Sequence, residues 1–244
     1  MRFLLVTDLD NTLVGDAAAL LRFNQKVSAN RDRLYLIYAT GRSYALARQL
    51  QAEQDLLEPD YWVTGVGTEI YRKDERDPLW AEHLSQDWNR DSVAAIASTF
   101  PDLIIQPKAE QNPWKLSFLI DPELADSILA NLQALIAQAG LKAQIIFSND
   151  EDVDILPKHG DKGLAMTYLR EKLNIPANKT LVCGDSGNDI SLFQQNTLGL
   201  IVSNARSELM AWYRLCGESR HYLSRAPFAD GILEAIVHFR LMRF

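Results

Sequence analysis

Two cysteines in 244 residues, Cys183 and Cys216, are too few for a disulfide framework, and they read as small side chains in a reducing compartment. Long apolar runs are missing as well. No stretch reaches 18 consecutive apolar residues, which excludes an ordinary membrane-spanning helix. There is no excess of positive charge: 25 Lys and Arg stand against 32 Asp and Glu, a net charge of -7. Such a surface is not drawn to nucleic acid or to anionic lipid, so neither is expected as a partner. The amino terminus, MRFLLVTDLD, meets an aspartate too soon for the apolar region of a signal peptide, and a cytoplasmic location is expected. Internal repeats and low-complexity tracts are also absent.

Apolar residues make up 47% of the chain, enough for one large domain or for a core with a smaller module. Short apolar runs end in polar, loop-like clusters, and helical patterns follow most of them. Residues 3–6 run into Asp8, residues 34–39 into Thr40, Gly41 and Arg42, and residues 181–183 into Gly184 and Asp185; residues 61–63 and 200–202 are similar. Runs apolar on both faces predict parallel strands with helices on each side. Ligands bind such sheets beyond the carboxyl ends of the strands, where the polar clusters fall.

From about residue 80 to residue 155 this rhythm stops. Asp121-Pro122 predicts a helix start, Leu124, Ile128, Leu132, Leu135 and Ile136 its apolar face, and Gly140 its stop. Strands are expected at 116–120 and 145–147, and the charged stretch 72–78 as a solvated hairpin or linker. The reading is α/β: a Rossmann-like parallel core formed by 1–79 and 156–244, with an inserted α/β cap at 80–155.

Four segments carry chemistry that suits a phosphate ester, which needs a nucleophile, an acid for the leaving oxygen, positive charge and fixed donors. In DLDNT, Asp8 is placed to attack phosphorus and Asp10 to serve as general acid and base. In ATGRS, Thr40 and the Gly41 amide are donors for phosphate, helped by a helix starting near Ser43, and Arg42 suits phosphate or a sugar hydroxyl. Lys162 in GDKG is a cation for the nucleophile and the phosphate. In GDSGND, Asp185 completes an oxygen shell for Mg²⁺ with Asp8 and the Asp10 carbonyl, Asp189 binds a metal water or orients Lys162, and Ser186 and Asn188 hold the phosphate region. Each segment alone also reads as a turn, a cap or a solvated lysine. Their order, each after a strand, favours one site. In the cap, EQNPWK gathers Glu110, Gln111, Asn112, Trp114 and Lys115, a set suited to a sugar and equally readable as an Asn-Pro turn with a packed tryptophan.

The four segments resemble the motifs of the haloacid dehalogenase superfamily, and the resemblance covers the whole chain. It implies an aspartyl-phosphate on Asp8, Mg²⁺ as cofactor, and a cap that closes over the substrate. DLDNTLVGD, YATGRSY, EPDYWVTGVGTEIY, QNPWK, DVDILP and CGDSGND together resemble the sucrose-phosphate phosphatases. That likeness implies release of sucrose from sucrose 6-phosphate, the last step of sucrose synthesis. It also implies Gln111, Asn112 and Lys115 near the glucosyl part, and Arg42 and Asp152 near the fructosyl part. Leu13, where relatives often carry Trp, and the HGD before Lys162 depart from the pattern. A large carboxy-terminal extension of some relatives has no counterpart, so the catalytic unit is expected to stand alone; a monomer is also expected. Association with a sucrose-phosphate-forming synthase stays open. So do phosphatases for glucosylglycerol, mannosylglycerate or trehalose phosphate, a phosphomutase, and a non-catalytic sugar-phosphate-binding regulatory module.

Overall fold

The computed structural model describes residues 2–242. Its first part alternates strand and helix: β1 (Phe3–Thr7), α1 (Ala17–Ser28), β2 (Leu34–Ala39), α2 (Tyr44–Glu53) and β3 (Tyr61–Thr64). A hairpin follows, β4 (Glu69–Arg72) and β5 (Glu75–Arg76), with Lys73 and Asp74 both at positive φ in its two-residue turn. This is the hairpin expected of the charged stretch. Next come α3 (Pro78–Ser85), α4 (Arg90–Ala97), β6 (Ile104–Ile105), β7 (Leu116–Leu119), α5 (Pro122–Gln138), β8 (Ala143–Ser148) and β9 (Asp152–Pro157). The chain then resumes its first rhythm with α6 (Lys162–Lys172), β10 (Thr180–Gly184), α7 (Ile190–Phe193), β11 (Leu198–Ile201), α8 (Ser207–Cys216), β12 (His221–Leu223) and α9 (Phe228–His238).

Eight strands form one sheet in the order β12-β11-β10-β1-β2-β3-β4-β5, parallel from β12 to β3 and antiparallel at the β4 and β5 edge. β1 is central and wholly buried because its residues serve both faces in alternation. Phe3 and Leu5 pack on one side with α1, α2 and α9; Leu4 and Val6 pack on the other with α3, α6, α7 and α8. Each such Leu, Ile or Phe withdrawn from water contributes about 2 kcal/mol. The expected parallel core is borne out.

A second, antiparallel sheet, β6-β7-β9-β8, carries α4 and α5 on its own apolar cluster, with Leu116, Phe118, Val153 and Ile155 meeting Val93, Leu132 and Ile136. In α5, Asp121 caps the first turn, Pro122 opens it, and Gly140 at φ 69 follows its end, as the sequence predicts. The face differs from expectation. Leu124 and Leu135 lie at 40% and 41% exposure, and Ala125, Leu132 and Ile136 form the buried stripe. A helix laid on one face of a small sheet buries a narrower stripe than a helix inside a bundle.

The expected joints at 79/80 and 155/156 fall inside α3 and β9. α3 sends Trp80 and Leu84 into the core cluster, whereas all of β9 pairs with β7 and β8. We propose the joints at 86–89 and 158–161 instead. Trp88, in the first of these, packs against both clusters and donates its indole N–H to Pro113 O.

Candidate active site

The core motifs meet at the carboxyl edge of the parallel strands. β1 and β10 are neighbours, so Asp8 and Asp185, each just past a strand end, stand side by side. Lys162 is the first residue of α6, whose cap is Asp161, accepting from Leu164 N at 2.7 Å. The loop after β3 crosses directly behind this helix start. Gly67 sits there at φ 95, and a Cβ on it would lie 2.1 Å from the Asp161 carbonyl carbon, so only glycine allows the approach.

Lys162 is completely buried, and its Nζ donates to Asp8 Oδ1 at 2.8 Å, Asp189 Oδ1 at 2.7 Å and Asn188 Oδ1. The second oxygen of Asp189 accepts the backbone amides of Asp185 and Ser186 at 3.0 and 3.2 Å. Ser186 returns the favour by capping the short turn 187–189, so Ser186 and Asp189 close a capping box. Asp185 accepts from Thr12 Oγ1 at 2.8 Å, a partner the sequence reading overlooks. Asp189 thus bonds both the lysine and the loop.

Electrostatics mark this cluster as short of positive charge. Burial raises Asp8 well above the carboxylate range; Lys162 opposes the shift, and Asp189, Asp185 and Asp10 add to it. Burial, then Asp189, pushes Asp185 up to about 7, against Thr12, Lys162 and Arg206. Burial disfavours the Lys162 charge, yet Asp189 and Asp8 outweigh it and hold the ammonium more firmly than in an ordinary lysine. Ligand oxygens of Asp8, Asp185 and Asp189 lie within 4.8 Å of one another. Three crowded, buried carboxylates with one cation are a donor set that a hard divalent ion fits.

Asp10 stands apart from that triad. Arg42 grips both its oxygens in a fork, Nε to Oδ2 at 2.7 Å and Nη2 to Oδ1 at 2.8 Å. Thr40 is buried and its hydroxyl accepts from Arg42 N at 3.2 Å, which shapes the turn between β2 and α2. Ser43 precedes that helix, as expected, without a side-chain cap.

A cleft of about 440 Å³ opens over these groups. Asp8, Asp10, Thr40, Gly41, Arg42, Asp185, Ser186 and Asn188 line its floor. The second sheet supplies the opposite wall with Gln106, Glu110, Lys115, Ser148, Asn149, Glu151, Asp152 and Asp154. Lys115 is buried there, its Nζ 3.2 Å from Asp154, 3.9 Å from Glu110 and 3.4 Å from Gly41 O. Asp152 lines the wall with both oxygens engaged, by Gln106 Nε2 at 2.8 Å and Asn149 Nδ2 at 2.9 Å.

Gln111 and Asn112 are not brought to this cleft. Gln111 bonds Gln106 O, Ser117 O and Ser117 N, stitching the loop to β7. Asn112 accepts from Trp114 N at 2.8 Å and donates to Thr68 Oγ1 at 2.8 Å, while Trp114 is buried. The segment is the Asn-Pro turn with a packed tryptophan. Ser148, Asn149, Glu151 and Asp154 escaped the sequence reading of the residues. For the first three the signal was the turn-rich SNDED between two apolar runs, which marks a hairpin tip but says nothing of where the tip lands; Asp154 lies within β9.

A parallel core carrying these loops beneath an antiparallel cap sheet is the fold of the haloacid dehalogenase superfamily. Within it, the chain belongs to the Sucrose-6F-phosphate phosphohydrolase family, whose family model matches residues 1–240. The sucrose-phosphatase of Synechocystis sp. PCC6803, solved in complex with sucrose and phosphate, is similar at a TM-score of 0.96 and 48% identity, over 98% of this chain and 99% of that one. Sucrose-phosphatase 1 of Nicotiana tabacum is 38% identical over 98% of this chain and 60% of its own length. The chain thus spans 60% of the length of such plant relatives. A mannosylfructose-phosphate phosphatase of Agrobacterium fabrum is 35% identical over 98% of this chain and 97% of its own length.

Proposed function

We propose that the chain is a Mg²⁺-dependent phosphatase that hydrolyses sucrose 6-phosphate to sucrose and phosphate. The observation that carries this reading is a cleft whose floor joins Asp8, Asp185 and the Lys162 network and whose roof is a polar cap wall. The family and the similarity to a structure holding sucrose and phosphate support the choice of sugar.

In this reading Asp8 attacks phosphorus, forming an O–P bond as the bond to the sugar oxygen breaks. Asp10 gives that oxygen its proton and then takes one from the water that attacks the aspartyl-phosphate, so Asp8 returns as a carboxylate. Lys162 holds Asp8 in place and offsets its charge, while Thr40, Gly41, Ser186 and Asn188 surround the phosphate. Asp8, Asp185 and the Asp10 carbonyl would hold Mg²⁺, which would supply positive charge at the phosphoryl group. Asp10 must let go of Arg42 to exchange its proton, which frees the guanidinium for substrate. On the cap, Lys115, Asp152 and their neighbours receive the sugar, with Gln111 and Asn112 shaping the wall from behind. We infer a monomeric working unit, since one chain provides every group. Among the described residues no helix is long and apolar enough to cross a membrane.

The full-length similarity to a mannosylfructose-phosphate phosphatase favours one second reading, a different fructose-containing disaccharide phosphate. Phosphate release should be compared on sucrose 6-phosphate, mannosylfructose phosphate, glucose 6-phosphate and fructose 6-phosphate, with and without EDTA. The proposal expects preference for sucrose 6-phosphate, loss of turnover in EDTA and recovery with Mg²⁺. Equal turnover of all four substrates would overturn the sugar assignment, and full activity in EDTA would overturn the metal.

A further inference from the structure

Glu208, in the first turn of α8, ties the cap to the core. Its Oε1 accepts the backbone amide of Gly187 at 3.3 Å, within GDSGND, and that of Asn149 at 3.2 Å, at the tip of the β8–β9 hairpin. The two backbones are in close contact at this point: a Cβ on Gly187 would lie 2.4 Å from Phe147 O and 3.4 Å from Ser148 Cα. Any larger residue there would push the hairpin away. Beyond the contact, Asn149 donates to Asp152, and Ser148, Asn149 and Asp152 face Ser186 and Asn188 across the cleft.

The other carboxylate oxygen, Oε2, is buried without a hydrogen-bond partner, an arrangement that works against stability. A helix N-terminus favours an acid at this position, but that preference does not require one oxygen to bridge amides of two different sheets' loops. An exposed acid would satisfy the helix equally well.

We propose that Glu208 is a positioning residue that sets the register of the cap hairpin over the GDSGND loop, holding Asn149 and Asp152 opposite the phosphate-binding groups. It touches no reacting atom. The inference rests on the phosphatase reading above and adds to it the element by which the cap wall is aligned with the floor.

The test is steady-state kinetics of the full chain with Mg²⁺ on sucrose 6-phosphate and on p-nitrophenyl phosphate, which has no sugar for the cap to hold, together with amide hydrogen exchange at residues 147–152. Glu208→Gln keeps the reach and the acceptor oxygen, and its KM for sucrose 6-phosphate should stay within about threefold of the parent. Glu208→Asp keeps the charge but is one methylene short; it and Glu208→Ala should raise that KM about tenfold and speed exchange at Asn149. Turnover of p-nitrophenyl phosphate should stay within about twofold in all three variants. The inference is overturned if Glu208→Asp behaves as the parent, or if both substrates suffer alike. A parent protein that hydrolyses neither substrate sinks the phosphatase reading instead, while exchange at Asn149 still reports whether Glu208 holds the hairpin.

Discussion

In the proposed reaction Asp8 must be buried enough to exclude water from its attack on phosphorus and still be ionised to make it. Burial and three neighbouring carboxylates raise its pKa, and Lys162 opposes them. The chain therefore holds a charge imbalance at this point that a divalent cation relieves. Replacing Asp8 with Asn removes the nucleophile and one of the repelling charges together. Turnover should fall by about four orders of magnitude or more. The metal-free protein should melt no lower than the parent, because crowding of buried charge is eased. Phosphate release and a thermal melt in EDTA check the two halves. A sharp drop in melting temperature would mean that the Asp8–Lys162 pair is worth more than the repulsion it sits among.

Among the elements, the outermost strand β12 is pinned by His221, which packs edge-on to Phe193 beside β11. Its Nδ1 accepts the amide of Glu218 at 3.1 Å and its Nε2 lies 3.0 Å from Phe193 O. The first contact requires an unprotonated Nδ1, so the ring is neutral with its proton on Nε2. Burial, with Arg220 nearby, lowers the His221 pKa below the ordinary 6.5. Above pH 6.5 both folded and unfolded forms are neutral, and the stabilisation is complete. As pH falls below 6.5, the unfolded chain takes up the proton first and stability is lost until the folded pKa is passed. Melting temperature should therefore fall more steeply between pH 7.5 and 5.5 in the parent than in His221→Gln. Parallel curves for the two would rule out this origin. Other elements were legible from local pattern: the strand ends at Asp8, Thr40 and Asp185, the Asp121-Pro122 helix start and the Gly140 stop. α5's buried stripe was not, since Leu124 and Ala125 exchange places depending on which face meets the sheet.

On the scale of the whole molecule, two sheets form one cleft, and Lys115 is the cap's buried cation at the seam. It stands between Asp154 and Glu110 of its own unit and Gly41 O of the core loop after β2. Lys115→Met keeps the stem and removes the charge. It should raise KM for sucrose 6-phosphate roughly tenfold and lower stability by about 3 kcal/mol, because Asp154 is left buried with only Ser117 as a partner. Kinetics and denaturant unfolding of the variant check this; unchanged values in both would remove Lys115 from the seam.

The sequence by itself determined the parallel core and the edge on which its polar turns gather. A strand followed by a polar turn is a local pattern, and parallel pairing puts every such turn on one edge, so Asp8, Asp10, Thr40 and Asp185 were expected together before any coordinates; Lys162 follows the antiparallel strand β9 and was placed by its motif. The tertiary structure alone decided the other wall. Gln111 and Asn112 have the chemistry to bind a sugar, but the backbone of Gln106 and Ser117 claims the Gln111 amide, and Trp114 N with Thr68 Oγ1 claims that of Asn112. Asn149 and Glu151 are marked in the sequence as a hairpin tip, but where that tip lands is set by its packing against Gly187. Short-range hydrogen bonds and long-range packing compete for the same polar side chains, and spacing along a chain does not record which of them wins.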